Sequence, residues 1–230
     1  MERLYIIDNY RGIAFILMTI QHIFYYWNIS KSDENIELNS IASLSGTISR
    51  YLFIILAGYS MNMSYKKTVN KKEWIKKKIN RIFEILIHAL LITLITYIFY
   101  PQKFIRFGIL HFIGLASLMS IFIVPYKNLT ILLLFLSIFI KYPIINNFMD
   151  TITGASTNYD MLDRFSLKKF LPFFIFGIIL SQHYESYLET NKIEALNKKI
   201  PYITEIGKNT LNLYTIQIIL FVILFKTINK

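Results

Sequence analysis

Ile7-Asp8-Asn9-Tyr10-Arg11-Gly12-Ile13-Ala14-Phe15-Ile16-Leu17-Met18-Thr19-Ile20-Gln21-His22 reads as one apolar helix that carries an aspartate, an arginine and a histidine. At about 100° per residue, the steps from Arg11 to His22 bring both side chains to within about 20° of one direction. Met18 lies between them on nearly the same line, and Asp8 stands one turn before Arg11. The helical rise separates arginine from histidine by roughly 16 Å, about half the thickness of a bilayer's hydrocarbon core. One stripe therefore holds an anion-binding group and, deeper in, a titratable base. That suits a reaction whose reagent enters at one membrane face and reacts near the other.

The rest of the chain supplies the apolar surroundings. Of 230 residues, 54% are hydrophobic, 16% aromatic and 17% charged, whereas an ordinary soluble domain is about 25% charged. The excess is gathered into runs of membrane-spanning length. The expected fold is all-α: a polytopic membrane bundle of about seven transmembrane helices, near residues 6–27, 41–63, 82–100, 104–124, 129–145, 169–182 and 209–228. No linker or internal repeat divides it, so residues 1–230 read as a single integral-membrane domain. The first apolar run lacks a small-residue cleavage site and is too long for a signal peptide. With no cysteine, disulfides, thiolate metal sites and a cysteine nucleophile are excluded.

Orientation follows from charge. The net charge is +11, and Lys66, Lys67, Lys71, Lys72, Lys76, Lys77, Lys78 and Arg81 crowd into one short connection opposed only by Glu73. Such a cluster marks the cytoplasmic side, which puts the amino terminus inside and the carboxyl terminus outside a multi-pass cell-membrane protein. Asp33, Glu34, Glu37 and the polar segment 146–168 then face outward. The cluster either only sets topology and meets anionic lipid, or also helps to bind a phosphate-rich cytosolic cofactor. No aromatic-interleaved soluble module accompanies it, so nucleic acid is not an expected partner.

Ionisable side chains within spans are functional candidates because each costs about 2.5–3.5 kcal/mol on insertion scales. His22 is either a hydrogen-bonded structural histidine or a general base, since imidazole titrates near physiological pH. Arg11 either snorkels and pairs with Asp8 or contacts a phosphate or a pantetheine arm. His111, within Phe107-Gly108-Ile109-Leu110-His111-Phe112-Ile113-Gly114, falls at a depth similar to His22, with helix packing as its alternative role. Arg81, Glu84 and His88 form a second polar line, either a self-neutralised triad or the lining of a cofactor channel that Lys76 and Lys77 would extend. Arg50 is placed where a carboxylate or an acceptor substrate meets it, and the external Asp160 and Asp163 either only solvate their loop or meet a hydroxylated or amino-bearing acceptor. Gly58 with Ser60 fits a tight helix crossing. No third ligand accompanies the two histidines, so no metal is expected.

Several stretches resemble the heparan-α-glucosaminide N-acetyltransferase catalytic-domain family, in particular its short prokaryotic members. They are Ile7-Asp8 with Arg11-Gly12-Ile13-Ala14 through Met18 and His22; Leu56-Ala57-Gly58; the glycine-flanked His111 motif; Asp163-Arg164-Phe165 leading into Leu171-Pro172-Phe173-Phe174-Ile175-Phe176-Gly177; and Gly207-Lys208-Asn209-Thr210-Leu211 with Tyr214. The spacing of Arg11 and His22 is also similar to that in the wider superfamily of transmembrane acyltransferases.

The resemblance implies a membrane enzyme that takes an acetyl or other acyl group from cytosolic acyl-CoA. It would pass the group to an amine or hydroxyl of an extracytoplasmic sugar or glycan. Arg11 matches the family's inner arginine and His22 the deeper histidine; direct transfer and an acyl-histidine route both stay open. The chain lacks the extracytoplasmic domain of longer members and the histidine-bearing tryptophan motif of the animal enzymes, so His22 has to take that motif's place. A histidine common after the tyrosine of the last span is here Gln217. A non-catalytic membrane subunit and a small-solute carrier are the competing functions, and self-association is left open.

Overall fold

The computed structural model describes residues 4–31, 36–139, 163, 165–188 and 197–228. Within them the order is α1 (Tyr5–Lys31), α2 (Ile36–Lys67), α3 (Lys71–Phe99), α4 (Ile109–Ile123), α5 (Lys127–Phe139), α6 (Leu167–Leu188), α7 (Ile203–Lys208) and α8 (Thr210–Ile228). No strand occurs among the described residues. Asp33, Glu34, Asp160, Arg164, nearly all of the 146–168 segment and the end of the fifth expected span lie outside them.

Two boundaries differ from the sequence expectation, each for a local reason. The basic connection is mostly helix. Asn70 caps α3, its Oδ1 accepting from the amides of Lys72 and Glu73 at 3.0 and 3.4 Å; lysine is a good helix former, so helix continues where hydropathy falls. Trp74, almost wholly buried, closes the α2–α3 corner by donating its indole N–H to Ser64 Oγ at 3.0 Å. The fourth helix, in contrast, starts late. Residues 104–108 are non-helical, and threonines of α3 satisfy that backbone: Ile105 donates to Thr96 Oγ1 at 3.1 Å, and Thr93 donates to the Ile105 carbonyl at 2.8 Å. A buried irregular segment needs such partners.

Contacts along the helices fix their directions. Arg11 meets Ser60 near the start of α1 and the end of α2, whereas Gln217, well along α8, meets His22. So α1 runs antiparallel to α2 and parallel to α8. Asn62 donates to Ser181 Oγ at 2.9 Å and ties α2 to α6. The Lys66–Arg81 corner, Arg11 and Lys208 thereby gather at one end of the bundle, and His22, Arg50 and Asp163 stand further along it.

Outward faces are apolar. Phe83, Ile87, Leu90, Leu94 and Ile98 on α3, Leu132, Phe135 and Phe139 on α5, and Ile216, Leu220 and Leu224 on α8 are all exposed. Continuous apolar stripes of this kind suit lipid rather than water. Ser40–Lys67 and Lys71–Phe99 are each long and apolar enough to cross a bilayer; Ile109–Ile123, Lys127–Phe139 and Thr210–Leu224 are shorter apolar helices.

Glycines let the inner helices approach backbone to backbone. A side chain at Gly58 would meet the Phe174 carbonyl, and one at Gly177 would meet the Ile55 carbonyl, so α2 and α6 share a reciprocal glycine contact. Gly12 and Gly207 do the same for α1 against the α7 region, facing Ile203 and Asp8 backbone. Carbonyls on a rigid helix cannot swing aside. Gly58→Ala should therefore cost roughly 1–3 kcal/mol by overpacking, read as a lowered melting temperature in detergent; an unchanged melting temperature would show that the α2–α6 seam has slack.

Candidate functional site

The basic end opens into a cavity of about 240 Å³ between α1, α2, α3, α4 and α8. Its walls carry Arg11, Lys78, Arg81 and Lys208, with no aspartate or glutamate among the lining residues. The remaining surface is mainly apolar, from Phe53, Ile82, Ile85, Leu110 and Ile113 among others. Positive charge around an apolar slot is what a phosphate-bearing molecule with a long uncharged arm requires.

Each cation is placed by its own helix. Arg11 donates to Asp8 Oδ1 at 3.3 Å and to Ser60 Oγ at 2.6 Å. Ser60 can accept because its own proton goes to the Leu56 carbonyl at 2.6 Å. The Asp8 side chain is only 4% exposed against 30% for Arg11, so the carboxylate anchors the guanidinium from the protein side. On α3, Lys78, Arg81, Ile82 and Ile85 lie on one helical face and all line the cavity. Arg81 also pairs with Glu84 at 2.6 Å, both half in solvent. Lys208 ends α7 and binds Glu205 at 2.8 Å. Hydrogen bonds from Lys208 and Lys199 hold the Glu205 carboxyl below its ordinary range.

A second, smaller cavity of about 70 Å³ adjoins the first, with Met18, Ile109 and Tyr214 lining both. It is walled by His22, Arg50 and Asp163 together with Gln21, Tyr25 and Ile105. His22 and Tyr214 rings stand 6.4 Å apart, and Phe221 meets the imidazole edge at 6.2 Å. Arg50 is steadied by donating to the Gly46 carbonyl at 3.2 Å. The sequence stripe of Arg11, Met18 and His22 thus contributes to the walls of two adjoining chambers. A cationic chamber stands beside a chamber with an imidazole, a guanidinium and a carboxylate, and the two share Met18, Ile109 and Tyr214.

Other expected site residues stand elsewhere. His111 lines neither cavity. Its Nδ1 accepts the Gly108 amide at 3.3 Å, and its Nε2 lies 3.4 Å from Thr93 Oγ1. Since Thr93 spends its own proton on Ile105, the ring donates there, and both nitrogens brace the start of α4. His88 departs from the Arg81–Glu84 pair to meet Thr215 at 2.8 Å; Thr215 donates to Leu211, so His88 is the donor and binds α3 to α8. Lys76 and Lys77 are exposed on the outer side of α3, and Lys77 pairs with Glu73 at 2.6 Å. Lys78 and Lys208 are the cavity cations that the sequence did not single out. No cluster of three metal-binding side chains occurs among the described residues.

Searches of curated proteins and of solved structures find no match to the chain. A family model does match. The model described as heparan-alpha-glucosaminide N-acetyltransferase, catalytic, aligns with residues 3–219, and with most of its length covered the chain belongs to that family of membrane acetyltransferases.

Proposed function

We propose that the protein moves an acetyl or similar acyl group from cytosolic acyl-CoA to an amine or hydroxyl of an extracytoplasmic sugar or glycan. The observation that carries this reading is the pair of adjoining cavities that share Met18, Ile109 and Tyr214, one cationic and the other bearing His22. In this reading the chain spans the membrane with about seven helices, its basic end cytoplasmic.

The residues present fit a CoA donor. Arg11, Lys78, Arg81 and Lys208 hold phosphate oxygens through charge-assisted hydrogen bonds. In this reading the pantetheine arm runs along Met18, Ile109 and Tyr214, which line both cavities. The donor supplies a carbonyl activated as a thioester. His22 then takes the proton that the acceptor amine or hydroxyl releases as it attacks the carbonyl, and returns it to the departing sulfur as the C–S bond breaks and CoA leaves as its thiol. Arg50 and Asp163 orient the acceptor, one by donating and the other by accepting. Arg81 has a direct part at the cavity wall, and Glu84 holds it there. His88 and His111 support the walls, and Lys76 and Lys77 contribute a diffuse positive field at the mouth.

The test is incubation of purified protein in nanodiscs with radiolabelled acetyl-CoA and a panel of aminosugars and surface glycans. Label should move to at least one acceptor. Acetyl-CoA alone should stabilise the fold, by about 2.7 kcal/mol at a hundred times its dissociation constant. Indifference to acetyl-CoA in both measurements would sink the proposal.

A further inference from the structure

We infer that Gln217 is a positioning residue for His22: its side-chain carbonyl accepts the Nδ1–H of the imidazole and thereby leaves Nε2 free to take a proton. The inference rests on the acyl-transfer reading for its purpose, but its geometry stands apart from that reading.

Gln217 sits on α8 with 8% of its surface exposed, and it lines neither cavity. Its carboxamide nitrogen stands 3.4 Å from His22 Nδ1, and its Oε1 is buried with no hydrogen-bond partner. The nitrogen and oxygen of a carboxamide have the same outline, so the amide fits its slot either way round. With nitrogen toward the ring, Nδ1 is the acceptor, the imidazole proton sits on Nε2, and the oxygen is stranded. Stranding a buried acceptor is costly.

The reversed amide resolves both problems. Oxygen then accepts from Nδ1–H, and the NH2 group turns toward the interior of the helix bundle. Helix interiors offer few free donors, because their N–H groups are committed along the helix. Their carbonyls keep a second lone pair. Inside a helix bundle a buried NH2 therefore has more potential partners than a buried carbonyl. The reversed arrangement also gives the tautomer a general base needs, in the way a carboxylate fixes the histidine of a hydrolase triad.

The charged and titratable groups facing His22 are Arg50 from α2, Asp163 from the segment before α6, Tyr25 on its own helix and Tyr214 from α8. All of them line the small cavity, whereas Gln217 lies behind the ring. Among the described residues, Gln217 is the side chain at hydrogen-bonding distance from Nδ1.

The decisive measurement is ¹⁵N NMR of histidine-labelled protein in nanodiscs, at a pH where the ring is neutral, with His22→Gln to assign the signal. His22 should show a protonated, pyrrole-type Nδ1 and a pyridine-type Nε2. The opposite pattern in the unmutated protein would overturn the inference, whether or not any acceptor is acetylated. Kinetics give a second arm once an acceptor is known. Gln217→Leu should slow turnover about tenfold or more by releasing the tautomer, with KM for acetyl-CoA unchanged. Gln217→Glu, which keeps an acceptor there, should recover most of the rate and move the acid limb of the pH profile upward. Equal rates in the leucine variant and the native protein would overturn it, as would a glutamate variant as slow as leucine with an unmoved profile. Failure of donor binding, by contrast, defeats the acyl-transfer reading and leaves the NMR result standing.

Discussion

His22→Ala should lower acyl transfer roughly 10²–10⁴-fold, the range lost when a positioned general base is removed. Donor binding should hold, because His22 walls the small chamber and all four cavity cations line the other. Folding should also hold. The ring is only half-buried, although Gln217 loses its partner, which should lower stability by about 1–3 kcal/mol. The expected signature is thus a loss in kcat with an unchanged dissociation constant for acetyl-CoA and a modestly lowered melting temperature. His111→Ala is the informative contrast. It removes the acceptor for the Gly108 amide and the donor to Thr93, so it should lower stability by about 1 kcal/mol and leave transfer within a few-fold. Full activity in His22→Ala would remove the base from the mechanism. If His111→Ala instead loses the larger factor, the chemistry belongs on α4.

The reasons that His22's place on a cavity wall was readable and His111's place off it was not are physical. Arg11, Met18 and His22 fall on one stripe because helical periodicity is a local property, and α1 is regular throughout that stretch. Depth is local too, so His111 looked equivalent to His22. Which way its ring turns depends on the non-helical 104–108 segment, which exists because Thr93 and Thr96 take over the backbone bonds of Ile105. That is a tertiary fact. The same holds along α3: Arg81, Glu84 and His88 share a sequence stripe, yet the neighbour changes from cavity to solvent to Thr215 over two turns. Lys208 was hidden for a different reason. The six-residue α7 is too short to show periodicity, and only the close approach of Gly207 to Asp8 places it beside α1. The helices were largely legible from hydropathy; their starts were not, since Asn70 extends α3 through lysines that hydropathy assigns to a connection.

Arg11→Ala should weaken acetyl-CoA binding about 10- to 150-fold, on the about 1.5–3 kcal/mol that a charged hydrogen bond contributes. It should also destabilise the fold, because Asp8 stays almost wholly buried after losing its cationic neighbour. The two effects have different causes and can be separated. Asp8→Asn in the same chain removes the buried charge and should restore much of the stability, while binding stays weak. If binding recovers together with stability, Arg11 acts only by holding α1 in shape. Arg11→Lys discriminates further. A lysine keeps the charge yet cannot reach Asp8 and Ser60 at once with the planar fork that Arg11 uses at 3.3 and 2.6 Å. It should therefore retain the salt dependence of donor binding but lose part of its strength. A guanidinium shared between an internal carboxylate and a hydroxyl is already oriented before any phosphate arrives, and that preorganisation is what the lysine variant lacks.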